Sequence, residues 1–325
     1  MMLPSNVKQF TQKYGILLIL IGMCIVFAIL SPAFLSKSNV LNILNQTAIW
    51  GIMALGMTFV IIAKGIDLSV GSVLAFSGLV AASLAQVPAQ MKLYPNMPEL
   101  PVIIPILAGL LIGALCGAIN GALIAFTKIP AFIATLGMMT VVRGFALIYS
   151  NARPVSNLTP SMNAIGSKVG DIPIPIIIYL AVVGVSYILL NKTRFGKNTY
   201  AIGGNITAAE VSGVNVGKNI ILIYGFCGLL AGLAALVFAG RVGSVHPGAA
   251  DGYELTAIAA TTIGGTSHSG GIGTIGGALI GALVLSVMRN GMTLLGFSPY
   301  SQKILEGLII VGAVVIDMRK NARKG

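Results

Sequence analysis

The chain has 325 residues, a mean hydropathy of +0.94, 56% hydrophobic residues and only 9% charged residues. A soluble domain carries roughly 25% charged residues, so this composition excludes an ordinary soluble enzyme or nucleic-acid-binding module. The net charge of +12 then reads as a topological signal, because membrane proteins collect Lys and Arg in their cytoplasmic loops.

A spanning helix needs about 20 mostly apolar residues. Ten segments qualify in chain order: about 14–31, 41–63, 70–87, 101–127, 130–150, 174–191, 219–240, 254–266, 271–290 and 301–317. The third and eighth are the weakest. The eighth, "ELTAIAATTIGG", is short and Thr-rich, and reads equally as a broken or re-entrant segment, which a membrane tolerates only against protein or a cavity. With the N-terminus inside, twelve Lys and Arg fall on the inner side, ending with Arg319, Lys320, Arg323 and Lys324, against five outside. This asymmetry predicts an all-α polytopic membrane protein of about ten transmembrane helices, some short or broken, with both termini cytoplasmic. Residues 1–325 read as a single transmembrane domain.

Within the fourth segment Gly109, Gly113, Gly117 and Gly121 recur at every fourth position. On a helix they form one bare stripe along which a neighbouring backbone can approach closely. Gly273, Gly277 and Gly281 repeat the device in the ninth segment, and Gly228 and Gly232 in the seventh. Polar residues inside the spans are few. Arg143, Asn120, Asn290 and Glu306 are candidates to line a translocation path, since intramembrane polar groups are costly. Arg143 and Glu306 also sit where a side chain could snorkel to water. Asp67, followed by Ser69 in "AKGIDLSVGS", reads as a structural turn capping the next helix. "GGTSHSGGIGT", Gly264 to Thr274, is a similar Gly/Ser-rich turn into a helix.

No catalytic constellation emerges. Cys24, Cys116 and Cys227 lie inside apolar runs without paired spacing, as small packing residues do. His246 and His268 are expected on opposite faces. No Ser/His/Asp set and no buried acidic relay of the kind ion-driven carriers use is apparent. The expectation is a non-enzymatic chain with no cofactor, no metal and no nucleic-acid partner.

One polar island remains, residues 192–218. Gly213-Val-Asn-Val-Gly217-Lys218-Asn219 superficially suggests a phosphate-binding loop, but only three residues separate the glycines, and Asn219 stands where Ser or Thr is required. Thr207-Ala208-Ala209-Glu210 instead has capping-box spacing, with Thr207 at the N-cap and Glu210 at the third helical position. Val211 would continue the helix and Gly213 would end it. So short a helix is not stable alone. It reads either as a capped loop or as a contact point for a cytoplasmic partner.

Four stretches resemble the permease subunit of the ribose-type ABC sugar importers: "ALGMTFVIIAKGIDLSVGSVLAFSG" (54–78), "AFIATLGMMTVVRGFALIYSNARPVS" (131–156), "TRFGKNTYAIGGNITAAEVSGVNVGK" (193–218) and "GYELTAIAATTIGGTSHSGGIGTIGGALIGALVL" (252–285). The resemblance runs from about residue 30 to 318. It implies a bacterial inner-membrane permease working as two copies, with ATP-binding cassette subunits below and a periplasmic or lipid-anchored sugar-binding protein above. Thr207, Ala208, Ala209, Glu210, Val211 and Gly213 would then form the ATPase-coupling helix. Loops 151–172 and 241–253 would meet the binding protein. Alternatives are an ABC permease for nucleosides or branched-chain amino acids, an ion-coupled or passive sugar carrier acting alone, and a structural membrane protein without transport.

Overall fold

The computed structural model describes residues 5–87 and 92–322; of the basic residues counted above, Arg323 and Lys324 lie outside them. Each of the ten apolar segments forms a helix. The first five are α1 (Ser5–Leu30), α2 (Lys37–Ile62), α3 (Val70–Leu84), α4 (Ile103–Thr127) and α5 (Ala131–Tyr149). A connection follows with the single turn α6 (Pro160–Asn163), a 3₁₀ turn (Ala164–Gly166) and the antiparallel pair β1 (Lys168–Val169) and β2 (Ile172–Pro173). Then come α7 (Ile174–Lys192), α8 (Arg194–Gly204), α9 (Ile206–Val211), α10 (Val216–Val242), α11 (Tyr253–Ile263), α12 (Ile275–Leu294) and α13 (Pro299–Ala322).

Among the described residues, α2, α4, α5, α7, α10 and α12 are long and apolar enough to cross a membrane. Gly15–Leu30 of α1 and the whole of α3 are shorter apolar helices. The architecture is that of an all-α, multi-pass membrane protein. The two weakest segments are the short ones. At about 1.5 Å per residue, the 15 residues of α3 and the 11 of α11 fall short of a hydrocarbon core roughly 30 Å thick. The chain beside both helices is irregular, and part of it is held against protein, where a bilayer tolerates irregular backbone. The segment before α12, for example, donates from the Gly271 N–H to the Ile62 carbonyl at 2.8 Å.

Helix α2 is the central post. Met53, Leu55, Met57 and Phe59 are fully enclosed by α7, α10, α11 and α12. Lipid is as apolar as leucine, so this enclosure is held by close packing rather than by removal from water. The tightest seam joins α4 to α10. A Cβ added at Gly113 would lie 2.3 Å from the Gly228 carbonyl oxygen, and one at Gly117 2.1 Å from the Tyr224 carbonyl oxygen. The glycine stripe is therefore a backbone-on-backbone contact. Helices α11 and α12 repeat it, with Gly281 seated on the Ala260 carbonyl and Gly277 on that of Gly264.

The connections gather at two opposite ends. At one, Tyr200 donates to the Gly273 carbonyl (2.6 Å), and Asp317 accepts from the His268 N–H (3.0 Å). At the other, Val155 and Val245 exchange backbone hydrogen bonds of 2.8 and 2.9 Å, and Lys37 pairs with Asp171. The loops around 151–172 and 241–253 thus make one continuous surface. These are called the α9 end and the far end below.

Candidate functional site

The polar island folds as two helices. Thr193 caps α8, accepting from the Gly196 N–H at 3.4 Å. The helix buries Gly196, Thr199, Ile202 and Gly203 and ends after Gly204. Helix α9 begins two residues earlier than the capping-box spacing predicts. Its N-cap is Asn205, whose Oδ1 accepts from the Ala208 N–H at 3.0 Å, so Thr207 lies inside the first turn. Asn205 is already extended, with φ −155° and ψ 110°, where α8 stops. Asn caps at least as well as Thr, so the cap forms at the first residue with the required geometry. Ser212 closes the helix, and Gly213 follows at φ +83°, its N–H donating to the Glu210 carbonyl at 2.9 Å.

Of the six residues on which the coupling expectation rests, only Ala209 is buried, against Ile202 and Val216. Thr207, Ala208, Glu210, Val211 and Gly213 are exposed. Val211 is 86% exposed and Ile206 48%. Beside them a groove of about 470 Å³ runs between Phe195 and Asn198 of α8 and the Ser212–Asn215 turn. Helix α8 connects this surface to the bundle: Gly203 packs so closely on the Ile62 carbonyl that a Cβ would lie 1.7 Å from it. The Tyr200–Gly273 hydrogen bond anchors α8 to the segment before α12. In that segment burial pushes the His268 imidazole below its usual range, opposed by the Asp317 carboxylate.

Asp67 lies deeper than a surface turn, at 1% exposure. It does not occupy the N-cap of α3, which falls on Ser69. Asp67 Oδ1 accepts from the Ser69 N–H (2.9 Å) and Ser69 Oγ (2.6 Å), an Asx turn that redirects the chain between α2 and α3. Asn120 Nδ2 donates to Ser69 Oγ at 2.9 Å, tying this turn to α4. Asn120 Oδ1 is buried with no hydrogen-bond partner among the described residues.

The other intramembrane polar residues lie towards the far end and do not converge on one point. Arg143 donates to the Pro247 (2.6 Å) and Ala249 (3.0 Å) carbonyls, clamping the α10–α11 connection. Asn290 exchanges side-chain amide bonds of 2.8 and 2.9 Å with Asn39, joining α12 to α2. Glu306 pairs with Arg289 at 2.5 Å rather than with Arg143, and accepts from Thr256 Oγ1 at 2.7 Å. The Arg289 guanidinium also lies 4.7 Å from the Trp50 ring centroid, and Trp50 packs edge-on to Tyr253 at 5.6 Å. Around the Arg289–Glu306 pair a cleft of about 470 Å³ opens between α11, α12 and α13. Glu254, Gln302 and Lys303 line it. The sequence alone singles out neither these three residues nor Arg289. Their signal was composition: charges in otherwise apolar helices, unpairable without the fold.

Residues 39–314 match a family model described as branched-chain amino acid transport system / permease component. The ribose import permease protein RbsC of Bacillus subtilis (strain 168) is 44% identical over 315 residues, 96% of this chain and 94% of the relative. The chain belongs to this permease family. Within it, RbsC of Escherichia coli (strain K12) is 43% identical over 320 residues, 96% of each chain. The galactose/methyl galactoside import permease protein MglC of the same strain is 39% identical over 331 residues, 98% of each chain. No solved structure matches the permease chain.

Proposed function

We propose that this chain is the membrane-spanning permease subunit of an ATP-driven importer for a monosaccharide. What carries the reading is its end-to-end similarity to ribose and galactoside import permeases. In this reading the α9 end is cytoplasmic, both termini lie there, and the membrane is the bacterial inner membrane. ATP is hydrolysed by a separate ATP-binding cassette subunit, and this chain contributes the path. Two copies of the chain surround that path. Helix α9 is the coupling helix: it is capped at both ends, exposes Ile206 and Val211, and rests through α8 on the ends of α2 and the segment before α12. A cassette pushing on α9 would therefore move elements next to both interrupted crossings. At the far end, the paired 151–172 and 241–253 loops offer the surface for a sugar-binding protein, with Val169 and Ile172 exposed on the small β-hairpin.

The test is uptake of labelled ribose, galactose and related pentoses and hexoses by cells or vesicles carrying this chain, its binding protein and its candidate cassette subunit. Uptake of one sugar that disappears when the cassette cannot hydrolyse ATP is the expected result. Uptake that persists without ATP hydrolysis would make the chain a facilitator or an ion-coupled carrier.

A further inference from the structure

The groove beside α9 collects cations that the fold leaves uncompensated. Among the described residues its lining holds Lys218 and no acid, while Asn198, Ser212, Asn215 and Asn219 supply amide and hydroxyl groups. Arg194 and Lys197 stand on α8 next to the lining residues Phe195 and Asn198, and all three cations are exposed. None of the three has an acidic partner within salt-bridge distance among the described residues. Residues 192–218 carry Lys192, Arg194, Lys197 and Lys218 against Glu210 alone. The groove is also amphipathic along α10. Leu222 lies one turn further into this spanning helix than Lys218, is 48% exposed, and forms part of the same groove. An exposed leucine inside a spanning helix, with a lysine one turn nearer its end, reproduces the order of a phospholipid, acyl chain and then headgroup.

We infer that this groove is a binding site for an anionic phospholipid of the adjoining leaflet. Basic pockets between membrane helices recognise such headgroups. The phosphate lies between Lys218 and the α8 cations, and an acyl chain descends along Leu222. Asn198 and Asn219 each commit one amide hydrogen, to the Asn219 Oδ1 and to the Asn215 carbonyl. Each amide nitrogen carries a second hydrogen that can be donated to a phosphate oxygen. A zwitterionic lipid lacks the net charge for this site, and a soluble phosphate lacks the chain. The headgroup spans α8 and the start of α10, which the 3.2 Å Asn198–Asn219 hydrogen bond already joins. Bound lipid therefore braces α8 against the turn that closes α9. The inference goes beyond the permease reading: it needs the α9 end to lie at a membrane surface, whatever the chain transports.

The experiment offers the purified full chain in detergent micelles phosphatidylglycerol, phosphatidylcholine or inorganic phosphate. Bound lipid is counted by native mass spectrometry, and thermal unfolding is followed in parallel. Retention of phosphatidylglycerol in preference to phosphatidylcholine, weakening as salt is raised, is expected. Lys218→Gln should weaken that retention about fivefold, and Lys197→Gln/Lys218→Gln roughly 25-fold, as the loss of one and two cations near a charged headgroup implies. Lys64→Gln should leave it unchanged, because Lys64 is exposed at the same end but lies against Gly270, outside the groove. Unchanged unfolding without lipid confirms that the variants are folded. The lipid preference and its salt dependence are read on the unaltered chain, so they stand even if a variant fails to fold. Equal retention of the two lipids would overturn the inference. So would an equal loss in Lys64→Gln, which would mark a diffuse surface field rather than a site. Stabilisation by inorganic phosphate to the same degree as by phosphatidylglycerol would make the groove an ion site and not a lipid site. Normal lipid retention by Lys218→Gln, with loss of the cassette subunit on co-purification, would assign the groove to that protein instead. Failure of the assembled transporter to import any sugar would strike the permease reading and leave the lipid site standing.

Discussion

The Arg289–Glu306 pair is mostly shielded from water, with side-chain exposures of 20% and 9%. Two charges in such a place persist only if each keeps its partner, and removing one member of a buried pair costs about 3–5 kcal/mol. Arg289→Met should therefore destabilise the chain by about that amount, because Glu306 is left with only Thr256. The double variant Arg289→Met/Glu306→Leu should recover most of the loss. Thermal unfolding in detergent measures both, and additive losses would show that the pair is not coupled. Gly213 makes a second test at this scale. Its φ of +83° is closed to proline, which is locked near −65°. Gly213→Pro should distort the end of α9 and reduce ATP-dependent uptake by roughly 5- to 150-fold, the range of ordinary coupling energies. Glu210→Ala, on the exposed face, should act in the same direction. Membrane insertion should be normal in both, and normal uptake in both would remove α9 from the coupling path. These residues differ in how readable they were. Gly213 announced itself, because a glycine just after a short helix has one common use. Glu306 and Arg289 stand 17 residues apart on different helices, and nothing local in the sequence says that they meet. Thr207 misled, because a Thr-x-x-Glu spacing is visible in the letters, whereas the extended backbone that selects Asn205 is not.

At the scale of elements, glycine decides which helices touch. Gly117 has no room for a side chain, whereas Gly137 and Gly144 of α5 have open space around them. Gly117→Leu should force α4 off α10 and cost at least the 1–3 kcal/mol or so of an overpacked core. Gly137→Leu should be nearly neutral for folding. Unfolding temperatures compare the two, and equal losses would mean that helix propensity, not the seam, governs the effect. The four-residue spacing was legible because a helix repeats every 3.6 residues. Its partner was not, because the spacing marks a face without saying what lies against it. The ten helices were legible for a similar reason: a chain that must satisfy its own backbone in lipid has to write each crossing as a long apolar run. The interruptions at α3 and α11 were only partly legible, since a short apolar run does not say what completes the crossing.

At the scale of the whole molecule, the α4–α10 seam and the α2 post make a closely packed centre, and the charged residues Arg143, Arg289 and Glu306 lie on α5, α12 and α13 around it. The shortness of α11 also has a consequence for biogenesis. Eleven residues, about 16 Å of helix, with Glu254 in the first turn and Thr256, Thr261 and Thr262 beyond it, make a poor candidate for independent release from the translocation machinery into lipid. The segment holds its place because Gly277 and Gly281 of α12 close over the Gly264 and Ala260 carbonyls. Residues 253–294 should then leave the translocon as a hairpin, with α11 waiting until α12 has been synthesised. A nascent chain stalled after residue 270 should leave α11 extractable by alkali or accessible to protease, and lengthening the chain past residue 298 should protect it. The growing permease would therefore pass through a step at which its order of synthesis, rather than the hydrophobicity of any one helix, determines whether it is correctly threaded.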